Sequence, residues 1–152
     1  MRLWVETGSV NSAGSVVRAK VSEMTANINQ KAKARGRSAV NALRNAELEV
    51  LKGQRSGRMY RKPHTKGATY TASAPGEPPA RRTGMLHLNW YEDVETRAVS
   101  KGTEILAVLE SGEKYASMLE NGTSKIAPRP FVDKIKEKAE PEIRKIYGEP
   151  YR

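Results

Sequence analysis

The chain has 152 residues, no cysteine, two histidines and a formal charge of +10, which is one domain's worth of sequence, enough for a real core but not for two. The lack of Cys excludes disulfide scaffolds, thiol catalysis and Cys-ligated zinc or iron–sulfur sites, and His64 and His87 alone cannot supply a multi-histidine metal site. The longest apolar run, Ile105 to Leu109, falls far short of the roughly 20 residues of a spanning helix, and Met1-Arg-Leu-Trp-Val-Glu lacks a signal-peptide core, so a soluble, non-exported protein with no membrane partner is expected.

Leu3 and Val5 alternate with polar neighbours, the period of a short strand, before Gly8-Ser9 interrupts. Asn11 or Ser12 then reads as a helix N-cap. Val17, Val21, Met24 and Ile28 follow at spacings of four, three and four, one stripe of an α-helix expected to face inward. The stripe continues through Ala32 and resumes at Val40, Leu43, Ala46 or Glu47, and Val50. Gly36 interrupts it at a cost of about 1 kcal/mol relative to Ala, so the spacing predicts a long helix from about 12 to 52, continuous or kinked or broken near Gly36.

Between Gly53 and Gly84 the chain has five Gly, four Pro and almost no aliphatic residue. Tyr70-Thr-Ala-Ser-Ala-Pro-Gly-Glu-Pro-Pro reads as extended chain, because each Pro fixes its own φ and biases the residue before it away from α. Residues 53 to 82 are thus expected to be a flexible Pro/Gly-rich arm within a single domain spanning 1 to 152. Met85, Leu86, Leu88 and Trp90 then lead, as residues of a first core strand that includes His87, into Val94 to Val99; the Lys101-Gly102 turn and Thr103 to Glu110 complete an antiparallel hairpin. A short helix is expected over Glu113 to Glu120, stopped by Asn121-Gly122. Pro130 fits the first turn of a last helix whose inner side carries Phe131, Ile135, Ala139 and Ile143, and Pro141 should kink or split it. The predicted class is α+β: one small antiparallel sheet packed by a long N-terminal helix, a short helix and a C-terminal helix.

The charge is divided unevenly along this order. Residues 1 to 82 carry 16 Lys and Arg against 5 Glu, a net of +11, whereas residues 83 to 152 carry 11 against 12, a net of −1. Lys31, Lys33, Arg35, Arg37, Arg55, Arg58, Arg61 and Lys62 are the candidate contacts to a polyanion. Only Tyr60 and Tyr70 lie among them, too few rings to indicate a stacking platform. A basic protein that binds nucleic acid without sequence preference is therefore the alternative reading, and it rests on charge alone.

Catalytic patterns are missing. The sequence has no Walker-type loop, no His-Glu-x-x-His, no Gly-x-Ser-x-Gly and no EF-hand spacing. Of Glu92, Asp93 and Glu95, only Asp93 and Glu95 share a strand face, which makes solvated turn residues the default for these acids. No catalytic residue, metal or cofactor is expected.

Four segments in fixed order carry more information: Ala74-Pro-Gly-Glu-Pro-Pro, the Arg82-Thr-Gly-Met-Leu turn, Tyr115-Ala-Ser-Met-Leu-Glu-Asn-Gly-Thr-Ser-Lys, and Ala127-Pro-Arg-Pro-Phe. Together they resemble the tail-component, or head–tail connector, family of tailed bacteriophages, whose members resemble tail completion (neck) proteins. The resemblance spans about residues 70 to 147, and its motif positions here are Thr83, Gly84, Leu86, Tyr115, Leu119, Glu120, Gly122, Thr123, Arg129, Pro130 and Phe131. Where the family places Ser in Leu-x-x-Ser, this chain has Asn89. The resemblance implies a virion structural protein of the tail or neck, not an enzyme, assembled in the host cytoplasm. It implies a homo-oligomer, a hexameric ring in the family's pattern, that meets a head-completion or connector protein and the tail tube or terminator protein, with weak contact to transiting DNA. Within that frame Tyr70, Pro75, Gly76, Glu77, Pro78, Pro79, Arg81 and Arg82 are expected to form the assembly arm. Glu120, Gly122 and Thr123 are expected to end a helix and hold Arg129.

Overall fold

The computed structural model describes residues 10 to 151; the strand expected at Leu3 and Val5 lies outside them. In chain order the elements are α1 (Val10–Lys52), β1 (Met59–Arg61), β2 (Thr69–Thr71), α2 (Met85–Leu88), β3 (Trp90–Val99), β4 (Gly102–Ser111), α3 (Ala116–Asn121) and α4 (Val132–Gly148). The class is α+β, and the strands of the described residues form two separate antiparallel hairpins, β1 with β2 and β3 with β4, where one sheet was expected. No helix among the described residues is long and apolar enough to cross a membrane.

α1 is a single unbroken helix of 43 residues, about 65 Å long at 1.5 Å per residue. It already includes Asn11 and Ser12, so neither caps it. Gly36 does not break it, and the glycine is a point of contact. A Cβ there would lie 2.9 Å from Val94 Cγ1 and 3.1 Å from Ile105 Cγ2, so the bare backbone lets the β3–β4 hairpin close onto the helix. Ala39, Ala42 and Ala46 are buried along α1. These small residues allow α4 to approach, and its Phe131 lead-in, Ile135 and Ala139 close the core with Ala46 and Leu51. The two helices run antiparallel: Lys138 Nζ meets a Glu49 carboxylate oxygen at 2.7 Å, and further along Arg35 donates to the Glu149 carbonyl and covers the Tyr151 ring at 3.7 Å from its centroid.

Only half of α1 is clothed in this way. Residues 15 to 28 are all exposed, and the stripe expected to face inward stands open, with Val17 at 51 %, Val21 at 57 %, Met24 at 57 % and Ile28 at 51 % exposure. The physical reason is length. α4 ends at Gly148, and the residues after it, Glu149 to Tyr151, reach α1 at Lys31, Ala34 and Arg35, which leaves residues 15 to 28 exposed.

The hairpin β3–β4 pairs Val94 with Ala107, Thr96 with Ile105 and Glu92 with Leu109. Alternation then puts Val94, Ile105 and Ala107 on the face toward α1, and Tyr91, Asp93, Glu95, Leu106, Val108 and Glu110 on the opposite face. Met85 to Leu88, expected as strand, is a helical turn. Gly84 takes the left-handed φ of 92° that reverses the chain, and the His87 and Leu88 amides bond back to its carbonyl at 3.1 and 3.0 Å. The short helix begins at Ala116 instead of Glu113. Pro130 lies before α4, whose N-cap is Phe131, and α4 runs through Pro141 without splitting. Pro141 is exposed, so the carbonyl that loses its helical donor can turn to water.

Candidate assembly cleft and basic surface

Residues 53 to 82, expected as an extended arm, fold in two parts. The first is the β1–β2 hairpin, closed by Gly57 N to Ala72 O and Ala72 N to Arg58 O, each 2.9 Å. No side chain fits at Gly57, where a Cβ would lie 2.5 Å from the Ala72 carbonyl oxygen. Tyr60 and Tyr70 face each other across it with ring centroids 6.0 Å apart. The second part, Ser73 to Pro79, is a strap tied to the body. The Arg129 guanidinium donates to the carbonyl and hydroxyl oxygens of Ser73 and to the Ala74 carbonyl at 3.1 Å. Gly76 N donates to Pro128 O at 3.1 Å, and Lys134 Nζ to Gly76 O at 2.9 Å. At the far end Arg55 bridges the Val50 carbonyl (2.8 Å) and the Pro79 carbonyl (3.1 Å).

Glu77 shapes the strap from within. Its carboxylate accepts the Ser56 hydroxyl, the Ser56 amide at 3.0 Å and the Ala74 amide at 2.9 Å. Those bonds, the Ser56 hydroxyl first, with help from the Arg55 charge, hold its pKa down at about 2.

The strap forms one wall of a cleft of about 620 Å³. Of the expected arm residues, Tyr70, Pro79, Arg81 and Arg82 line it; of the motif residues, Thr83, Gly84, Leu86, Tyr115, Leu119 and Arg129 do. Pro75, Gly76, Glu77 and Pro78 hold the strap without lining the cleft, and Glu120, Gly122, Thr123, Pro130 and Phe131 build the wall behind it. The lining is largely apolar, with Leu51, Ala72, Ala80 and Ile126 adding to it and Ser73 and His87 completing it, and cationic groups stand at Arg81, Arg82 and Arg129. Such a hollow suits an apolar side chain or chain end with an acidic neighbour, by area and charge alone.

The helix-end motif has a different job from the one expected. Gly122 does stop α3, at φ 75°, where a Cβ would meet Ile126 O at 2.8 Å and Pro128 N at 2.9 Å. Thr123 locks the following turn, its amide bonding Ile126 O at 2.8 Å and its hydroxyl accepting the Lys125 and Ile126 amides at 3.2 Å each. Glu120 does not hold Arg129. Its carboxylate accepts the backbone amides of Phe131 (2.8 Å) and Val132 (3.1 Å), and so caps the start of α4 from another helix. Arg129 is held by its own amide, which donates to Leu119 O at 2.8 Å, and this leaves its guanidinium for the strap. Phe131, 2 % exposed, then meets Trp90 edge to face at 6.3 Å.

Sequence reasoning missed a buried charged cluster that reaches the cleft through His87. Glu47 is fully buried and paired with Arg44, which also reaches Glu92 at 3.5 Å. Its second oxygen stands 3.8 Å from His87 Nδ1, and neither of those two atoms has a hydrogen-bond partner. Burial pushes the Glu47 carboxyl up to about 7 against the pull of Arg44. Burial, with Arg81, Arg44 and Lys52, pushes His87 down. Glu47 sits in the apolar stripe of α1, and that intrusion was the one available signal. Asn89, at the family's Ser position, ties the hairpin base: its side-chain amide donates to Glu113 at 2.9 Å, and its carbonyl accepts Gly112 N at 2.9 Å.

The eight basic candidates do not form one patch. Arg35 and Arg55 are engaged inside the chain, as described. Lys31, Lys33 and Arg37 are exposed on α1, while Arg58, Arg61 and Lys62 belong to the β1–β2 hairpin with the two tyrosines. Among the described residues no group of three or more His, Asp or Glu could hold a metal ion. Compared with known proteins, the chain matches no family model, no curated sequence and no solved structure.

Proposed function

We propose that the protein is a structural component of a tailed-phage virion, a tail completion or head–tail joining protein that assembles as a ring at the neck. The observation that supports the reading is convergence. Residues far apart in sequence, Tyr70, Arg81, Thr83, Leu86, Tyr115, Leu119 and Arg129, line one cleft, although the resemblance that singled most of them out carried no spatial information. The same cleft accounts for the motif as recognition of a protein neighbour: an apolar hollow with cations at its rim and a strap clamped across it. An unclothed apolar helix face on the same chain adds to the case for an assembling protein.

The reading is tested by complementation. Lysates of a phage lacking this gene should contain unjoined heads and tails, and purified protein should restore infectious particles. Protein carrying Leu119→Arg, which fills the cleft with charge, should fold yet restore few. Full infectivity without the protein would refute the assignment.

A second reading, nucleic-acid binding, is favoured by one specific observation: Arg58, Arg61 and Lys62 share a short hairpin with the facing Tyr60 and Tyr70 rings. A gel-shift series with single-stranded and duplex DNA at rising salt checks it, and no binding near physiological salt removes it.

A further inference from the structure

The open stripe on α1 and the outer face of the β3–β4 hairpin are both without a partner among the described residues, and they complement each other. Val17, Val21, Met24 and Ile28 lie along one line of the helix, each more than half exposed, flanked by Arg18, Lys20 and Lys31 with Glu23 the single acid. The outer face of the hairpin presents Tyr91, 63 % exposed, and half-buried Leu106 and Val108, amid Asp93, Glu95, Glu104 and Glu110, with Arg97 the single base. One face is apolar and basic, the other apolar and acidic. The stripe from Val17 to Ile28 is about 17 Å long, and ten-residue strands offer about 33 Å, so the helix can lie wholly on the sheet.

We infer that the N-terminal half of α1 in one copy docks on the outer face of the β3–β4 hairpin of a second copy, giving a head-to-tail interface. Connectivity requires a second molecule. α1 is one continuous helix whose C-terminal half packs on the inner face of its own hairpin, so its N-terminal half cannot reach round to the outer face. Docking would sandwich the hairpin between its own α1 and a neighbour's, the layered arrangement that covers a sheet on both sides. Pairing of two α1 stripes with each other would bring the Arg18 of both copies and their Lys20 side chains onto one surface whose single acid is Glu23, 2.9 Å from Lys20 in its own chain, whereas the hairpin face offers four acids. Since the two faces differ, the contact is heterologous and repeats from copy to copy until it closes. The inference rests on the ring-forming reading and deepens it by naming the surfaces.

The test uses full-length purified protein and two exposed-surface variants, Met24→Glu on the helix and the double variant Glu95→Lys, Glu110→Lys on the hairpin. Light scattering should give the wild type a mass of several chains and each variant the 16.8 kDa of one, with far-UV circular dichroism unchanged. A mixture of the two variants should form a two-chain species and stop there, because one intact helix meets one intact hairpin. The chain has no cysteine, so Val21→Cys in one copy and Tyr91→Cys in another supply a second readout, a disulfide dimer formed in the mixture and in neither protein alone. A wild type that stays a single chain at several hundred micromolar overturns the inference. So does assembly that survives Met24→Glu, which would point to hairpin edges pairing, or a mixture that fails to complement, which would point to like faces pairing. If the mixture complements but the wild type does not restore head–tail joining, the neck function fails and the interface stands; if joining is restored by a protein that never self-associates, the reverse holds.

Discussion

Replacing Gly36 by Ala sets two opposing effects against each other, and the structure decides between them. In an exposed helix interior the change should stabilise by about 1 kcal/mol, the difference in helix propensity. Here the new Cβ would lie 2.9 Å from Val94 Cγ1 and 3.1 Å from Ile105 Cγ2, well inside the roughly 3.5–4.0 Å at which carbon atoms attract. Val94 and Ile105 are β-branched with stiff χ1 angles, so relief has to come from a shift of the hairpin, and overpacking of this kind costs about 1–3 kcal/mol. The expected net result is a loss of about 0–2 kcal/mol for Gly36→Ala and more for Gly36→Val, with an unchanged m value in urea denaturation. A gain of about 1 kcal/mol for Gly36→Ala would refute the reasoning, because it would mean that the hairpin does not rest on the glycine.

Glu120→Ala should cost about 1–3 kcal/mol in thermal or urea unfolding, since it orphans the Phe131 and Val132 amides at the start of α4, while Glu120→Gln, which keeps an acceptor but not the charge, should cost less. Arg129→Ala releases the Ser73 and Ala74 oxygens, so limited proteolysis should cut between residues 73 and 80 faster than in wild type; Arg129→Lys, with one donor group in place of a planar fork, should restore protection only in part. Glu47, whose pKa is raised to about 7 from an ordinary value near 4.5, keeps in the folded state a proton that the unfolded chain has lost. Its contribution is therefore complete below about pH 4.5 and disappears as pH rises through 7, a decline of about 1–3 kcal/mol after allowance for screening and Arg44. Glu47→Gln should flatten that slope in urea titrations at pH 4.5 to 7.5, and an unchanged slope would place the proton elsewhere.

The parts of the fold legible in the sequence were those governed by local spacing. The periodicity of α1 and α4 and the existence of the second hairpin can be read directly, because hydrophobic period and turn chemistry act over a few residues, but the turn falls at Ser100-Lys101, one residue before the Lys101-Gly102 expected, with Gly102 already paired to Val99. Long-range contacts could not be read that way. Gly36 looks like a defect until Val94 and Ile105, about sixty residues on, are seen to need its bare backbone. Val17 to Ile28 has the same spacing as the buried part of its own helix, and periodicity alone cannot tell a face covered within the chain from one left for a neighbour. The strap at Ser73 to Pro79 has the composition of a flexible arm, because its ties, Arg55, Arg129 and Lys134, lie outside it. The cleft was legible as a set of motif residues and not as a place. Arg129 and Glu120 exchange the partners that proximity in sequence would give them, Arg129 turning to Ser73 and Glu120 to the Phe131 amide.

The charge that begins as a single figure of +10 makes a final, discriminating prediction about salt. Arg58, Arg61 and Lys62 are the cations of the β1–β2 hairpin, and if they neutralise three phosphates the binding constant should fall with a log–log slope of about −2 on single strands and about −3 on duplex. A tenfold rise in salt would then weaken DNA binding by about two to three orders of magnitude. The proposed contact between copies has the opposite character. Its centre is Val21, Met24, Leu106 and Val108, which salt does not screen, and its charges lie at a solvent-exposed rim where each pair is worth about 1 kcal/mol or less. The same tenfold rise should slow association more than it weakens the assembled state. Light scattering and gel shift across one salt series therefore separate the two proposed readings. Assembly persisting at high salt where DNA binding has collapsed is expected, and an assembly that dissolves as steeply as the DNA complex would show that charge, not the apolar stripe, holds the copies together.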